Sequence, residues 1–459
     1  MKNNIANNHL ANLRQLGNNL KSLKIADDTK VLLSYTYRIT TKKLISIYEN
    51  MASLYPKEHQ SYWSHLESNY SHITIGINKC YYIDKTSDIN TISDKIDKLF
   101  RDSCHMGELP PKIVGGIKFN PDQNQYDNSI WINQPAGIFI IPKIIITETK
   151  IGQYATVICF TNNNDEIDDI IDKLSSKIDT ITKISEMESN KTKNNLNTIK
   201  KSECVPKKSE FISSVINAIS QIKQKKLKKI VLSYMNVISF EESFDATALI
   251  KKMKGENCTN YHFQMPDNSS IFGTSPEKLF NKHNLEVKTE ALAGSSISKD
   301  NLLSSNKDLH EHQIVVDYIT KSLEPICKEI TFDKVPNIKS HSKLFHLSTE
   351  ISANLRTDIN PLSLINAIHP TPAVCGVPTP RAIQEIDKLE RSDRGWYTGI
   401  IGWMDSAMNA DFVVNLRSGF YSNNYLYLFG GAGIVEGSDP ILEWEEINNK
   451  ISTIKELLG

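Results

Sequence analysis

Apolar residues run along the chain in two rhythms, one with the period of a strand and one with that of a helix. Val31–Arg38, Ser71–Tyr82, Gly137–Thr149 and Tyr154–Phe160 are rich in β-branched and aromatic residues and bounded by Gly, Pro or Asn, which predicts strands of a large sheet. Ile92–Phe100 and Glu166–Ile184 follow the helical rhythm. A further helix is predicted over Ser209–Gln224, where Phe211, Val215, Ile219 and Ile222 fall three or four apart. Beyond it, strands are predicted at Lys229–Val237, Tyr261–Met265, Ser270–Thr274, Leu285–Thr289, Tyr397–Trp403, Asp411–Phe420 and Tyr425–Gly431. Helices are predicted at Asp308–Lys328, Pro361–Ala367, Pro380–Leu389 and Pro440–Leu458. Strict βαβ alternation is absent, which predicts an α+β fold with large, mainly antiparallel sheets.

One stretch breaks both rhythms. Ser185–Ser209 is polar, rich in Lys and Asn and poor in apolar residues, and it predicts a flexible crossing or a long exposed loop. It separates residues 1–184, whose chemistry is not evident, from residues 209–459, which hold nearly every unusual motif.

Bulk composition narrows the function classes. The 459 residues carry 53 basic and 53 acidic side chains, so charge gives no reason to propose a nucleic acid or an anionic membrane as partner. The longest apolar stretch, about Ala136–Ile146, is interrupted by Pro142 and Lys143 and is too short to span a bilayer. The Asn-rich start has no apolar region of the secretory kind. Seven scattered cysteines without a CxxC pair argue against a disulfide framework and a zinc site, and point to reduced thiols in a cytoplasm.

Several constellations carry chemistry. After a predicted strand come Gly430-Gly-Ala-Gly433 and then Asp439-Pro440, an N-cap followed by proline at the first helical position. Glu443, Glu446 and Lys450 then share one helix face, which could present carboxylates to a hard cation or could be a solvated face with an i, i+4 ion pair. The glycines would let backbone N–H groups approach an anion. Glu311 lies one turn before Val315 and could point inward, where a buried carboxylate needs a partner or a metal. Its other local reading is an acid placed near a helix N-terminus. Lys229 closes a basic run that starts at Lys223, and read alone it is one more solvated lysine. It also opens an apolar strand, where alternation can turn it inward, and a neutral buried lysine is a base. Glu277 follows Ser275-Pro276 at a strand end. Arg417 reads as mid-strand among Val413, Val414 and Leu416, and needs an anion or a solvent-facing side.

Taken in order, these motifs resemble the chorismate-utilising enzymes, and within them the isochorismate-forming branch. The matching pieces are Lys229-Ile-Val-Leu, Phe272-Gly-Thr-Ser-Pro-Glu277, Thr289-Glu-Ala-Leu-Ala-Gly294, Lys307-Asp-Leu-His-Glu311-His312, His346-Leu-Ser-Thr349, His369–Gly376, Asp393–Gly399, Asn415-Leu-Arg417-Ser418 and Gly430–Glu446. Val114-Gly-Gly-Ile-Lys-Phe119 is a looser match in the N-terminal part. Two features depart from the pattern. Tyr234 stands where the family often has Arg, and the Gly294–Lys307 loop is shorter and lacks a common Arg.

The resemblance implies one unit over residues 1–459, two large sheets layered face to face with helices outside, and Mg2+-dependent conversion of chorismate to isochorismate. It implies Glu311 and Glu446 as magnesium ligands, with Glu443 assisting through water. Arg417 would bind a substrate carboxylate, helped by backbone N–H groups near Gly431 and Gly433. Lys450 would lie beside the metal and His346 would line the ring pocket. Lys229 would be the base that activates water and Glu277 the acid that protonates the leaving hydroxyl. Ala293 stands where relatives that make aminodeoxychorismate often place a nucleophilic lysine. Ala373 stands where salicylate-forming relatives commonly have Thr. With Lys229, both favour stopping at isochorismate, which feeds menaquinone, siderophore or salicylate formation. No glutaminase subunit is implied, and a monomer or weak homodimer is expected. The competing readings are a salicylate-forming enzyme that also releases pyruvate, and a non-catalytic chorismate-binding protein.

Overall fold

The computed structural model describes residues 2–458 apart from 24–29, 66–68, 124–125, 127–128, 163, 189–197, 242–243, 254–256, 297, 342–343 and 391. Every strand pairing in it is antiparallel except that of Val31–Ile39 with Cys104–Met106. The strands form two broad sheets that meet at Gly137–Thr149. One runs from Ile199–Val205 through Lys229–Phe240, Tyr425–Ile434, Ser418–Ser422, Ser270–Ser275, Thr259–Gln264 and Gln60–His65 to Tyr70–Ile83. The other runs from Lys112–Ile117 through Ile400–Asp405, Ala410–Val414, Lys278–His283 and Glu286–Ser296 to Leu344–Leu355.

Central strands buried on both faces explain the layering. Inward residues of both sheets meet in an aromatic cluster that includes Trp63, Tyr261, Phe263, Trp403, Phe420 and Phe429. Outward residues pack under helices. Leu279, Val287 and Ile351 meet Val315 and Ile319 of the helix Asn306–Leu323, and Leu232, Leu428 and Ile434 meet Ile447 and Ile451 of the helix Pro440–Lys455. At roughly 25 cal/mol per Å2 of apolar surface, each fully buried Ile, Leu or Phe stabilises by about 1.5–3 kcal/mol, which sets the outer and inner faces. The expected two-sheet α+β architecture is therefore what the chain adopts.

Three local expectations are corrected and one element is added. The predicted strand Asp411–Phe420 is two strands, Ala410–Val414 and Ser418–Ser422, and Arg417 sits between them with φ +46°. The predicted strand at Tyr397 begins only at Ile400, after a turn in which Thr398 has φ +59°. The polar Ser185–Ser209 stretch is not all loop. The preceding helix continues to Glu186, and Ile199–Val205 is an edge strand on Lys229–Phe240; residues 189–197 lie outside the described residues. Asn-rich Lys2–Lys21 is a helix that no sequence signal predicted, with Leu13, Leu16 and Leu20 buried.

Candidate active site

Lys229 is the first residue of its strand and is fully buried, 0% exposed. The solvated reading of the basic run therefore fails at this one lysine. The cause is long-range. Gly376-Val377 pairs with Ile230 and Lys229, and the buried Arg394 guanidinium donates to the carbonyls of Val231 at 2.7 Å and Val374 at 2.8 Å. This clamps the start of the strand beneath the His369–Gly376 run. Glu390, itself buried, accepts from Ser233 N at 2.7 Å and pairs with Arg394, so the clamp brings no unpaired charge inside. The Lys229 ammonium lies 2.9 Å from Glu311 Oε1 but makes no well-aligned hydrogen bond among the described residues.

Glu311 is brought in by the second turn of the helix Asn306–Leu323. It faces Gly433, whose bare backbone the site requires. A Cβ there would stand 2.2 Å from Glu311 Oε1 and 3.0 Å from Lys229 Cε. The glycine run thus lets a carboxylate and an ammonium meet against a strand.

These groups open onto a cavity of about 680 Å3, its mouth included. Glu277, Ala293, Glu311, His346, Ala373, Arg417, Gly431, Gly433, Glu446 and Lys450 all line it. Lys229 and Glu443 are not on its surface. Lys229 reaches it through Glu311, and Glu443 lies behind Glu446.

The carboxyls are held in different ways. Glu277 is 4% exposed. Its backbone is pinned to the end of Ala410–Val414: Val414 N donates to Glu277 O at 3.1 Å, and Ser275 Oγ donates to Val414 O at 2.6 Å. Among the described residues its side chain accepts only a long 3.4 Å bond from Thr371 Oγ1. Burial, opposed by the charge of Lys229, pushes its carboxyl up to about 8. Glu446 is partly shielded from water, its side chain 23% exposed, and that shielding would raise its carboxyl. The Lys450 ammonium at 2.6 Å, with Lys307 and Arg417, outweighs burial and holds it below the usual range. Glu443, behind it, is pushed up to about 7 by burial and by the neighbouring charge of Glu446, against its ion pair with Lys307 at 2.8 Å.

Arg417 is 6% exposed and its Nη1 has no partner among the described residues. Nη2 lies 3.4 Å from His346 Nε2, and the His346 Nδ1 is 2.9 Å from Ser295 Oγ, its cross-strand neighbour. Desolvation lowers the Arg417 guanidinium, yet it stays charged over the physiological range. A buried, half-satisfied guanidinium facing a cavity is a receptor for an anion. Beyond Leu428 the strand Tyr425–Ile434 has no strand partner on one edge among the described residues, and Phe429, Gly430, Gly431 and Gly433 line the same cavity. Lys450 Nζ donates to Gly431 O at 2.9 Å.

Glu311 and Glu446 offer hard carboxylate oxygens to one cavity. Among the described residues no three acidic, imidazole or thiol side chains already gather into a cage. Magnesium is commonly bound by one or two carboxylates, with water and substrate completing its shell, so this donor set fits it.

A family model described as chorismate binding enzyme matches residues 18–459. The chain belongs to that family. Among its relatives, the isochorismate synthase MenF of Pasteurella multocida is 33% identical over 362 residues, 75% of this chain and 78% of that one. The Bacillus subtilis isochorismate synthase MenF is 27% identical over 94% of each chain. The solved structure of Escherichia coli MenF, a menaquinone-specific isochorismate synthase, superposes with a TM-score of 0.76 at 21% identity, over 98% of this chain and 100% of that one. As in other chorismate-binding enzymes, the large antiparallel sheets carry the fold.

Sequence reasoning missed Tyr397, Thr398, Leu292 and Ser295, which also line the cavity, and the Glu390–Arg394 clamp. The signal was present for Arg394 and Tyr397 in Asp393–Gly399, but a run that reads as an incipient strand hid the turn that aims them.

Proposed function

We propose that the chain converts chorismate to isochorismate, acting as one unit over residues 1–459 with Mg2+ held by Glu311 and Glu446. The observation that carries this reading is one cavity lined by a buried carboxyl raised to about 8, Glu277, and a half-satisfied guanidinium, Arg417, with the buried Lys229 reaching it through Glu311. The isochorismate synthases among the relatives support the same reaction.

Chorismate carries two carboxylates. Arg417 binds one, supported by backbone groups of Gly431 and Gly433. Glu311 and Glu446 would hold Mg2+, with Glu443 assisting through water and Lys450 steadying Glu446, and the ion would supply the charge that neutralises the other. Fixing both ends of the dianion turns the displacement into a step between held partners, which is worth several kcal/mol of barrier. Lys229, as the neutral amine left once its ammonium has given up a proton, accepts a proton from water as the water oxygen bonds to ring C2. The two ring double bonds shift, the C4–O bond breaks, and Glu277 delivers its proton to the departing hydroxyl. One water enters and one leaves. Hydroxide is a poor leaving group, so a carboxyl that keeps its proton near neutral pH suits the acid role. His346 lines the ring pocket, and Ala373 and Ala293 present only methyl groups to it.

Product analysis tests this. Purified protein with chorismate and Mg2+ is expected to give isochorismate without pyruvate. Salicylate with pyruvate, or binding without turnover, would overturn the reading.

A further inference from the structure

Each acid of the metal-facing wall has its own lysine. Glu311 pairs with Lys229 at 2.9 Å, Glu446 with Lys450 at 2.6 Å and Glu443 with Lys307 at 2.8 Å. The first two lysines have work in the mechanism, and Lys307 has none. Its position is also unfavourable. It is the second residue of the helix Asn306–Leu323, where the unpaired N–H groups and the helix dipole disfavour a cation. Glu443 offsets this cost from another helix, and Glu311 and Glu446 add to the field that favours the ammonium there. At 34% exposure the Lys307 side chain keeps a path to solvent, while Glu443, at 2%, has none. A partly exposed cation therefore leans on a buried acid, at the place where a divalent ion would draw on the same negative field.

We propose that Lys307 is a tethered cation that competes with Mg2+ at the Glu443 side of the acidic wall and keeps the ion-free site balanced and its ion affinity low. The ion must displace the ammonium or share the field with it, and the substrate dianion, by adding negative charge, tips that balance toward the ion. Lys307 is thus a positioning residue that acts through Glu443. This rests on the magnesium reading above.

The test is Mg2+ binding to the full chain without substrate, followed by calorimetry and by the rise in melting temperature with Mg2+. Lys307→Met removes one positive charge from the acidic wall, which at surface-like screening is worth about a tenfold tighter Mg2+ dissociation constant. Lys307→Arg keeps the charge and is expected to bind as the unmodified protein does, which also guards against a misfolded Met variant. The ratio of Mg2+ affinities with and without chorismate should shrink in Lys307→Met. Equal or weaker Mg2+ binding in that variant would overturn the proposal. If the unmodified protein itself takes up no Mg2+, with or without chorismate, the magnesium reading fails instead.

Discussion

Glu277 and Glu446 line the same cavity, yet their surroundings push their carboxyls in opposite directions. Glu277 is desolvated with no cation in contact, and its carboxyl rises to about 8. Glu446 is part-buried, and an ammonium at 2.6 Å keeps it ionised. The lesson is that burial alone does not set a role. The nearest cation decides whether a buried carboxyl keeps a proton to donate or stays an anion to bind a metal.

The strongest way to break this comparison is at the acid. Glu277→Gln keeps the shape and removes the proton donor, so kcat should fall by about a thousandfold, within the range removed general acids show. Lys229→Ala should be as damaging for the opposite reason, since it removes the base. The two variants differ in stability. A folded-state carboxyl raised from 4.5 to about 8 contributes stability that is fully present below pH 4.5 and lost as pH rises toward 8. Glu277→Gln removes that penalty, so at pH 8 its melting temperature should be no lower than that of the unmodified protein. A clear drop would mean that Glu277 is ionised and paired in the folded state.

Arg417→Gln should cost about 1.5–3 kcal/mol in kcat/KM, the worth of hydrogen bonds to a charged group, mostly through KM. A change confined to kcat would move Arg417 out of ground-state binding. On the metal side, Gly433→Ala forces a methyl within 2.2 Å of Glu311 Oε1 and should raise the Mg2+ needed for half-maximal activity more than it lowers the melting temperature. Glu446→Gln should raise the same Mg2+ requirement. An unchanged requirement in either would count against Glu311 and Glu446 as ligands. The smallest effect expected is on pH: kcat/KM should decline as pH rises through about 8, because the acid must carry its proton.

The fold was readable from the sequence where periodicity was strong. The Gly137–Thr149 strand and the Pro440 helix start were predicted at the bounds they adopt. The failures have specific physical causes. Lys2–Lys21 hides its buried leucines among asparagines, and Ile199–Val205 is an edge strand whose lysines stay exposed. Arg417 reads as mid-strand because Leu416-Arg417-Ser418 contains neither Gly nor Pro to announce the left-handed turn. The site was legible mainly through its likeness to a family. Locally, Lys229 is one lysine in a basic run. Its burial comes from Glu311 and Arg394, 82 and 165 residues away in sequence, and no local pattern carries that information.

The comparison of the two carboxyls stands on the protonation of Glu277, and infrared difference spectroscopy reads it directly. Spectra of the unmodified protein minus Glu277→Gln should show the carbonyl stretch of a protonated carboxylic acid at neutral pH, disappearing as pH rises through about 8. A band that is already absent at neutral pH, titrating in the ordinary carboxylate range, would contradict the assignment of Glu277 as the acid.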